Sequence, residues 1–328
     1  MAVPDAQAGH SRRARMIPEP TAFERYRSSP NGKMTLLRLI FGTIVILLVW
    51  TLSTFAVVRI GWGFVALVPD SLQPDGYGME AFLTSPIGVL TALVTFCGIW
   101  AGAWLVMRWI HREPLSALFG NSHRISRSGF LNGFVAVFLT SIFSEVLLYA
   151  LDPVIQRGSI GLSVWLMALV PVAMLAFVQT SAEELLFRGY LPRGLARLFR
   201  SPLVWALLPT LVFTALHWSG DSALAMNVAG LISIGVFSVV LMMLVHATGN
   251  LGAAFGAHFG NNLFGFLLIS HQASLSSFAL FEARSLEGAG WAGIDAVLIA
   301  GIGIVSSLLT ALLLLHPRSP LRVAPDLG

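Results

Sequence analysis

Residues 39–58 read LIFGTIVILLVWTLSTFAVV, a stretch without a single charged side chain. A helix needs about 20 apolar residues to cross the roughly 30 Å of hydrocarbon in a bilayer, and only a helix satisfies the backbone of such a segment there. The run is too long for the apolar part of a secretory signal, and no small-residue cleavage site follows it. It therefore predicts a retained membrane-spanning helix.

Seven further apolar runs follow the first. They cover residues 86–107, 129–144, 158–182, 201–216, 222–245, 249–270 and 291–315. The run from 201 to 216 is the weakest and fits a short or tilted helix. The chain is 56% hydrophobic and only 11% charged, whereas charged residues make up about 25% of an average soluble domain. The sequence therefore predicts an all-α, polytopic integral membrane bundle of about eight helices, and it excludes a soluble globular domain.

Loop charges predict the orientation of these spans. Basic residues concentrate around Arg112 and Arg193, and acidic residues around Asp75 and Asp152 mark the loops of the opposite side. Because basic loops stay in the cytoplasm, we expect both termini on the cytoplasmic side of an inner or plasma membrane. The high isoelectric point, about 9.8, follows from this bias, and no nucleic-acid partner is predicted.

The same reading divides the chain into three parts. Residues 1–35 form a basic cytoplasmic arm, which we expect to be disordered or to lie on the membrane surface. Residues 36–316 form a single membrane domain, with its polar core at about 158–270. Residues 317–328 form a cytoplasmic tail.

Polar side chains at hydrocarbon depth are few, and each is a functional candidate because burying it is costly unless it is paired. The segment TSAEELLFRGY, residues 180–190, carries three of them. Glu184 and Arg188 are four residues apart with the acid first, the favourable order for a helical ion pair. We expect them to pair and to leave Glu183 free for chemistry. The structural alternative is an ion-pair cluster that only staples the helix end.

Three more candidates lie on two later spans. His217 ends FTALH, residues 213–217, while His258 and Asn262 project from one face of the seventh span. A lone histidine beside Trp218 at a membrane edge is usually structural. Together, however, the residues suit hydrolysis: a buried carboxylate can take a proton from water, a histidine can relay or orient, and imidazole and amide N–H groups can donate to an oxyanion. Small residues on the seventh span predict close helix packing, at Gly249, Gly252, Gly256, Gly260 and Gly265.

EELLFR at 183–188, FTALH at 213–217 and HFGNN at 258–262 resemble the ordered EExxxR, FxxxH and HxxxN motifs of the CAAX-protease and bacteriocin-processing family of intramembrane proteases. VHATGNLG at 245–252 is also similar to that family, and the resemblance covers about residues 158–270.

The resemblance implies an eight-helix bundle with a cavity open to the cytosol. It also implies an endopeptidase that acts near the terminus of a membrane-delivered peptide or protein, whose lipidation stays open. The implied catalytic residues are Glu183, His217, His258 and Asn262, supported by Glu184 and Arg188.

A metal-dependent mechanism is one alternative. Glu183, His217 and His258 could form a zinc site with an open fourth position, with Glu184 as the base. No HExxH sequence is present, which excludes the usual zincin arrangement. A metal-free mechanism is slightly favoured.

Two other function classes stay open. A catalytically silent relative could serve as an immunity or scaffold protein, since motifs report a site and not turnover. A proton-coupled transporter could use Glu145, Glu183 and the histidines as a relay, although no paired broken helices support it.

Depth sets one geometric expectation. His217 lies about 20 Å along its helix at 1.5 Å per residue, whereas Glu183 lies close to the end of its apolar run. The two come to similar depth if the fourth helix continues to Pro192, and we expect this extension.

Overall fold

The computed structural model describes residues 19–28, 33–67, 78–287 and 290–328. Six helices among these residues are long and apolar enough to cross a membrane. In chain order they are α2 (Leu36–Phe64), α4 (Pro86–His111), α5 (Arg127–Leu151), α6 (Leu162–Leu198), α8 (Leu224–Thr248) and α10 (Gly293–Leu315). The shorter helices are α1 (Ala22–Arg27), α3 (Met79–Thr84), α7 (Leu203–Ala215) and α9 (Gly252–Leu267).

The all-α membrane fold is confirmed, but the count of eight spans is not. The fifth and seventh apolar runs form α7 and α9, and both are shorter than the six long helices. The 16 residues of α9 cover about 24 Å at 1.5 Å per residue. Gly249, whose φ of 62° is left-handed, ends α8 and sets the turn before α9. A strand begins at Ile269, two residues after the last residue of α9. The turn before α9 and the strand after it therefore prevent the helix from extending at either end.

Helix α6 continues well past its apolar run. It is unbroken from Leu162 to Leu198 and contains a π-helical turn at Leu185–Tyr190. The predicted continuation of this helix to Pro192 is therefore confirmed. It places Glu183 about 22 Å from the end of the helix at 1.5 Å per residue.

Helix α9 packs along α5 at very short range. A Cβ added at Gly133 of α5 would meet the backbone carbonyl of Ala253, and one added at Gly256 of α9 would meet that of Phe130. Glycine at these positions therefore lets the two backbones touch, as expected for small residues in membrane helices. Gly265 differs, because an added Cβ there would meet nothing within 4 Å.

Part of the N-terminal arm is packed, which corrects the expectation of disorder for its described residues. Thr21 and Glu24 form a reciprocal capping box that starts α1. The side chains of Phe23 and Tyr26 are buried, and the Tyr26 hydroxyl donates to the carbonyl of Leu118 at 2.6 Å. The basic residues of the arm that precede position 19 lie outside the described residues.

The tail at 317–328 is also docked. The carboxylate of Asp326 accepts hydrogen bonds from the Ser122 hydroxyl at 2.8 Å and from the Asn250 amide at 2.7 Å. Arg25 of α1 donates to the carbonyl of Leu327. The two terminal segments and the α8–α9 turn therefore meet at one end of the bundle.

The opposite end of the bundle carries a small sheet that the sequence analysis did not predict. Its strands are β1 (Ile155–Arg157), β2 (Ile269–Ser270) and β3 (Phe281–Ala283), in the order β1-β3-β2. β3 pairs antiparallel with β1 and parallel with β2. The strands are too short to give a periodic pattern, which is why they escaped prediction. The acidic loop predicted around Asp75 lies outside the described residues.

Candidate active site

The middle of α6 holds a fully buried ion pair. Arg188 Nη1 lies 2.8 Å from Glu184 Oε1, and the side chains are 1% and 0% exposed. The second guanidinium nitrogen, Nη2, donates to the Ser238 hydroxyl of α8 at 2.8 Å. The ring of Phe213 from α7 lies under the guanidinium, 4.1 Å from its carbon to the ring centroid. The pairing expected from the i, i+4 spacing is therefore present, and it joins three helices.

His258 of α9 is held between the two glutamates. Its Nδ1 lies 2.8 Å from Glu184 Oε1, and its Nε2 lies 3.6 Å from Glu183 Oε2. A carboxylate can only accept, so Nδ1 carries the hydrogen of that bond. In the neutral ring Nε2 then offers a lone pair toward Glu183. Glu184 thus orients His258 as well as pairing with Arg188.

The two oxygens of Glu183 have different surroundings. Oε1 accepts a hydrogen bond from Gln179 Nε2 at 2.7 Å. Oε2 is buried and has no hydrogen-bond partner among the described residues. Buried polar atoms are nearly always satisfied, so an exception in a native fold calls for an explanation. This oxygen is the one that faces His258.

The amide of Asn262, one turn after His258, points at α6. Its nitrogen donates to Gln179 Oε1 at 2.9 Å and to the Thr180 hydroxyl at 3.4 Å. The neighbouring Asn261 is exposed. The face of α9 that carries His258 therefore also carries an amide beside the Glu183 carboxylate.

His217 joins this group through an aromatic contact. Its side chain is exposed, and its Nδ1 lies 2.9 Å from the carbonyl oxygen of Phe213. The Phe213 ring centroid lies 4.7 Å from that of His217 and 5.9 Å from that of His258. The structure thus brings five of the six predicted residues into one bonded network, and it places His217 beside that network.

Sequence reasoning missed four partners in this network: Thr180, whose hydroxyl accepts from Asn262, and Gln179, Phe213 and Ser238. Gln179 lies four residues before Glu183 on the same face of α6, a spacing that could have been noticed. Phe213 opens the second motif, but the pattern gives no sign of its contact with Arg188. Ser238 carries no sequence signal, because serine in a membrane helix commonly bonds its own backbone.

Comparison with known proteins shows a similarity to one family. A model described as "Type II CAAX prenyl endopeptidase Rce1-like" matches residues 163–264. We refer to this similar segment as the Rce1-like core. It begins just inside α6 and ends in α9, so it contains every predicted site residue. A protein family of endopeptidases supports hydrolytic activity at the family level.

One related protein matches a longer part of the chain than the Rce1-like core. The uncharacterized protein YyaK of Bacillus subtilis strain 168 is 27% identical over 248 residues, which cover 74% of this chain and 81% of that protein. No solved structure matches.

Glu183, His217 and His258, the ligands of the zinc alternative, suit a metal by their chemistry but not by their positions. Each histidine commits Nδ1 to an oxygen acceptor and keeps a free Nε2, as metal-bound histidines do. However, no group of three His, Cys, Asp or Glu side chains among the described residues is close enough to hold a metal ion.

A second polar cluster lies at the sheet end of the bundle, outside the Rce1-like core. His271 Nε2 lies 2.9 Å from the Glu145 carboxylate of α5. Arg284 lies 3.4 Å from Asp152 and stacks on Trp291 at 4.0 Å. These residues line a cavity of about 190 Å³. Among the described residues, none of the side-chain atoms in this cluster is buried without a partner.

Proposed function

We propose that this protein is an intramembrane endopeptidase of the CAAX-protease type, which hydrolyses a peptide bond near the terminus of a membrane-delivered substrate. One observation carries the proposal. Glu183 Oε2 is a buried carboxylate oxygen with no hydrogen-bond partner among the described residues, and His258 Nε2 faces it at 3.6 Å. A polar gap slightly too wide for a direct hydrogen bond suits a bridging water.

The nucleophilic water would donate to both atoms. A water about 2.8 Å from each is compatible with their separation of 3.6 Å, and its lone pairs then point away from both. Glu183 takes one proton as the water oxygen adds to the substrate carbonyl carbon. His258 accepts the second hydrogen bond and fixes the orientation of the attacking oxygen, and the Glu184 contact holds the imidazole in the tautomer that can do this.

The collapse of the intermediate returns the proton. Asn262 donates its amide N–H to the oxyanion. The C–N bond breaks as Glu183 delivers its proton to the leaving nitrogen, which restores the carboxylate. His217, whose Nδ1 is committed to the Phe213 carbonyl, can accept a hydrogen bond at Nε2 from a substrate N–H.

The test is a comparison of peptide termini in membranes. Cells that lack the native gene are supplied with the wild type, with Glu183→Gln or with Glu145→Gln, and terminal peptides are quantified by mass spectrometry. We expect one set of cleaved termini with the wild type and with Glu145→Gln, and its uncleaved form with Glu183→Gln. Identical termini in all three would refute the protease and leave the silent relative as the better reading.

The metal alternative has its own test. Wild type, His258→Ala and Asn262→Ala are purified, treated with a chelator and measured for bound metal. We expect no stoichiometric metal in any of them. One equivalent in the wild type and in Asn262→Ala, lost in His258→Ala, would replace the metal-free step by a zinc-bound one.

A further inference from the structure

Gln179 makes contacts with the site although it lies outside all three predicted motifs. Its Nε2 donates to Glu183 Oε1 at 2.7 Å, while its Oε1 accepts from Asn262 Nδ2 at 2.9 Å and from the Thr180 hydroxyl at 3.2 Å. The side chain is buried. It therefore spans the two helices, α6 and α9, that carry the reacting groups.

The orientation of this amide is fixed by its partners. The carboxylate of Glu183 can only accept, so the nitrogen must face it, and the nitrogen of Asn262 can only donate, so the oxygen must face that side. A flipped amide would place its oxygen against the Glu183 carboxylate and its nitrogen against the Asn262 nitrogen, so neither hydrogen bond could form. Because Gln179 is buried, an unpaired amide there is costly, which makes the arrangement costly to leave.

This contact pattern divides the labour between the Glu183 oxygens. The donor from Gln179 occupies Oε1, so Oε2 is the oxygen left for a water and the one that faces His258. The same glutamine holds the Asn262 amide within hydrogen-bond reach of α6. One side chain thus sets the distance between the group that takes the proton and the group that stabilises the oxyanion.

We propose that Gln179 is a positioning residue of this site, which aligns Glu183 for proton transfer and holds Asn262 in place until substrate displaces that bond. The proposal rests on the proposed function. It adds a residue outside the three motifs, and it predicts that the effects of Gln179 and Asn262 on the rate are not independent.

The experiment measures kcat and KM of purified protein in nanodiscs with a farnesylated, internally quenched CAAX peptide and its unlipidated counterpart. The variants are Gln179→Leu, Asn262→Ala, the double variant and Glu183→Gln, with Ser181→Ala as the matched control. Ser181 is buried two residues further along α6, where its hydroxyl accepts from the Trp100 indole at 3.2 Å. Thermal unfolding of each variant reports folding separately.

We expect Gln179→Leu to lower kcat by about 10- to 100-fold, since small misplacement of reacting groups costs up to that much, with KM within about twofold. Ser181→Ala should keep the wild-type kcat. The double variant should lose less than the product of the two single losses, because both act on the same alignment.

Each outcome has one meaning. If the wild type cleaves, Glu183→Gln does not, and Gln179→Leu keeps the wild-type kcat per folded molecule, the positioning role is wrong while the protease stands. Fully multiplicative losses in the double variant, or a lowered unfolding temperature with unchanged kcat, also overturn it. If the wild type cleaves neither peptide, the proposed function itself fails, and if Glu183→Gln cleaves at the wild-type rate, Glu183 is not the base.

Discussion

The inner network, formed by Gln179, Glu183, Glu184, Arg188, His258 and Asn262, contrasts with the outer cluster of Glu145, Asp152, His271 and Arg284. Both contain two acids, one arginine and one histidine. The Glu184 and Arg188 side chains are 0% and 1% exposed, whereas those of Asp152 and Arg284 are 27% and 39% exposed. The outer acids each face one basic partner. The inner network shares a single arginine between its charges and leaves two carboxylate oxygens, Glu183 Oε2 and Glu184 Oε2, without a hydrogen bond. Of these two, Glu183 Oε2 is the one that faces His258 Nε2. Burial and these unused oxygens, not residue composition, mark the inner group for chemistry.

The largest difference should appear when each group loses a carboxylate. Glu183→Gln removes the proton acceptor and should lower the cleavage rate of the CAAX peptide by about 10²- to 10⁴-fold, the usual contribution of a general base. Folding should persist, because the glutamine has the same shape. Glu145→Gln is the control and should cleave at the wild-type rate. Equal losses in both variants would erase the distinction between the groups.

Removing the arginine of each group tests burial through stability. Arg188→Ala strands the buried Glu184 carboxylate, and breaking such a pair costs about 3–5 kcal/mol. Arg284→Ala disrupts a partly exposed pair, which is worth less than about 1 kcal/mol. Unfolding of both variants in the same detergent gives the comparison. A loss for Arg284→Ala as large as that for Arg188→Ala would contradict it.

A finer comparison lies within α9 itself. Asn262→Ala should lower the rate by about 10²- to 10³-fold, the typical loss of one oxyanion donor. Asn261→Ala removes the same amide one residue earlier, on the exposed side of the helix. Its side chain donates to Asn262 Oδ1 at 3.2 Å and leaves the donating nitrogen of Asn262 untouched, so this variant should cost far less. Similar losses from both would mean that helix packing, not the oxyanion contact, accounts for the effect.

The smallest effect should come from the tail, whose polar contacts lie outside the membrane helices. Although partial burial opposes it, hydrogen bonds from Asn250 and Ser122 lower the pKa of Asp326 below its ordinary value of 3.8. A carboxylate with a lowered folded pKa stabilises the fold above its unfolded pKa and loses that contribution as the pH falls through the folded value.

Asp326→Asn should therefore cost about 1 kcal/mol at pH 7 and progressively less below pH 3.8. Measuring the free energy of unfolding of the wild type and the variant at pH 7 and at a pH below 3.8 checks this. A difference that stays constant with pH would show that the carboxylate charge plays no part.

Much of the site was predictable because its residues stand out against hydrocarbon. Glu183, His217, His258 and Asn262 are conspicuous in apolar runs, and the spacing of Glu184 and Arg188 gave their pairing directly. The contact of Glu184 with His258 was not predictable, since it joins residues 74 positions apart. The role of Gln179 was not predicted, because a glutamine in a long helix gives no functional signal until its partners are known.

The fold was predicted less completely than the site. Apolar length located all the helices that cross or enter the membrane, but it could not tell a full span from the shorter α7 and α9, whose ends are set by local turns. The packed helix α1 was missed because its six residues are too few for a periodic signal. The docked tail was missed because its contacts with Asn250 and Ser122 are long-range.

The π-helical turn at Leu185–Tyr190 sets how the site responds to changes in chain length. Such a turn holds one residue more than an α-helical turn, directly between Glu184 and the anchored Arg193, whose guanidinium pairs with Glu113 at 2.9 Å. Because the turn absorbs the extra residue, deleting one residue inside it would restore regular winding with little rotation of the helix before it. A deletion between Gln179 and Glu183 has no such turn to absorb it and would rotate these two side chains by about 100° relative to each other. Their hydrogen bond would then be lost with both residues still present.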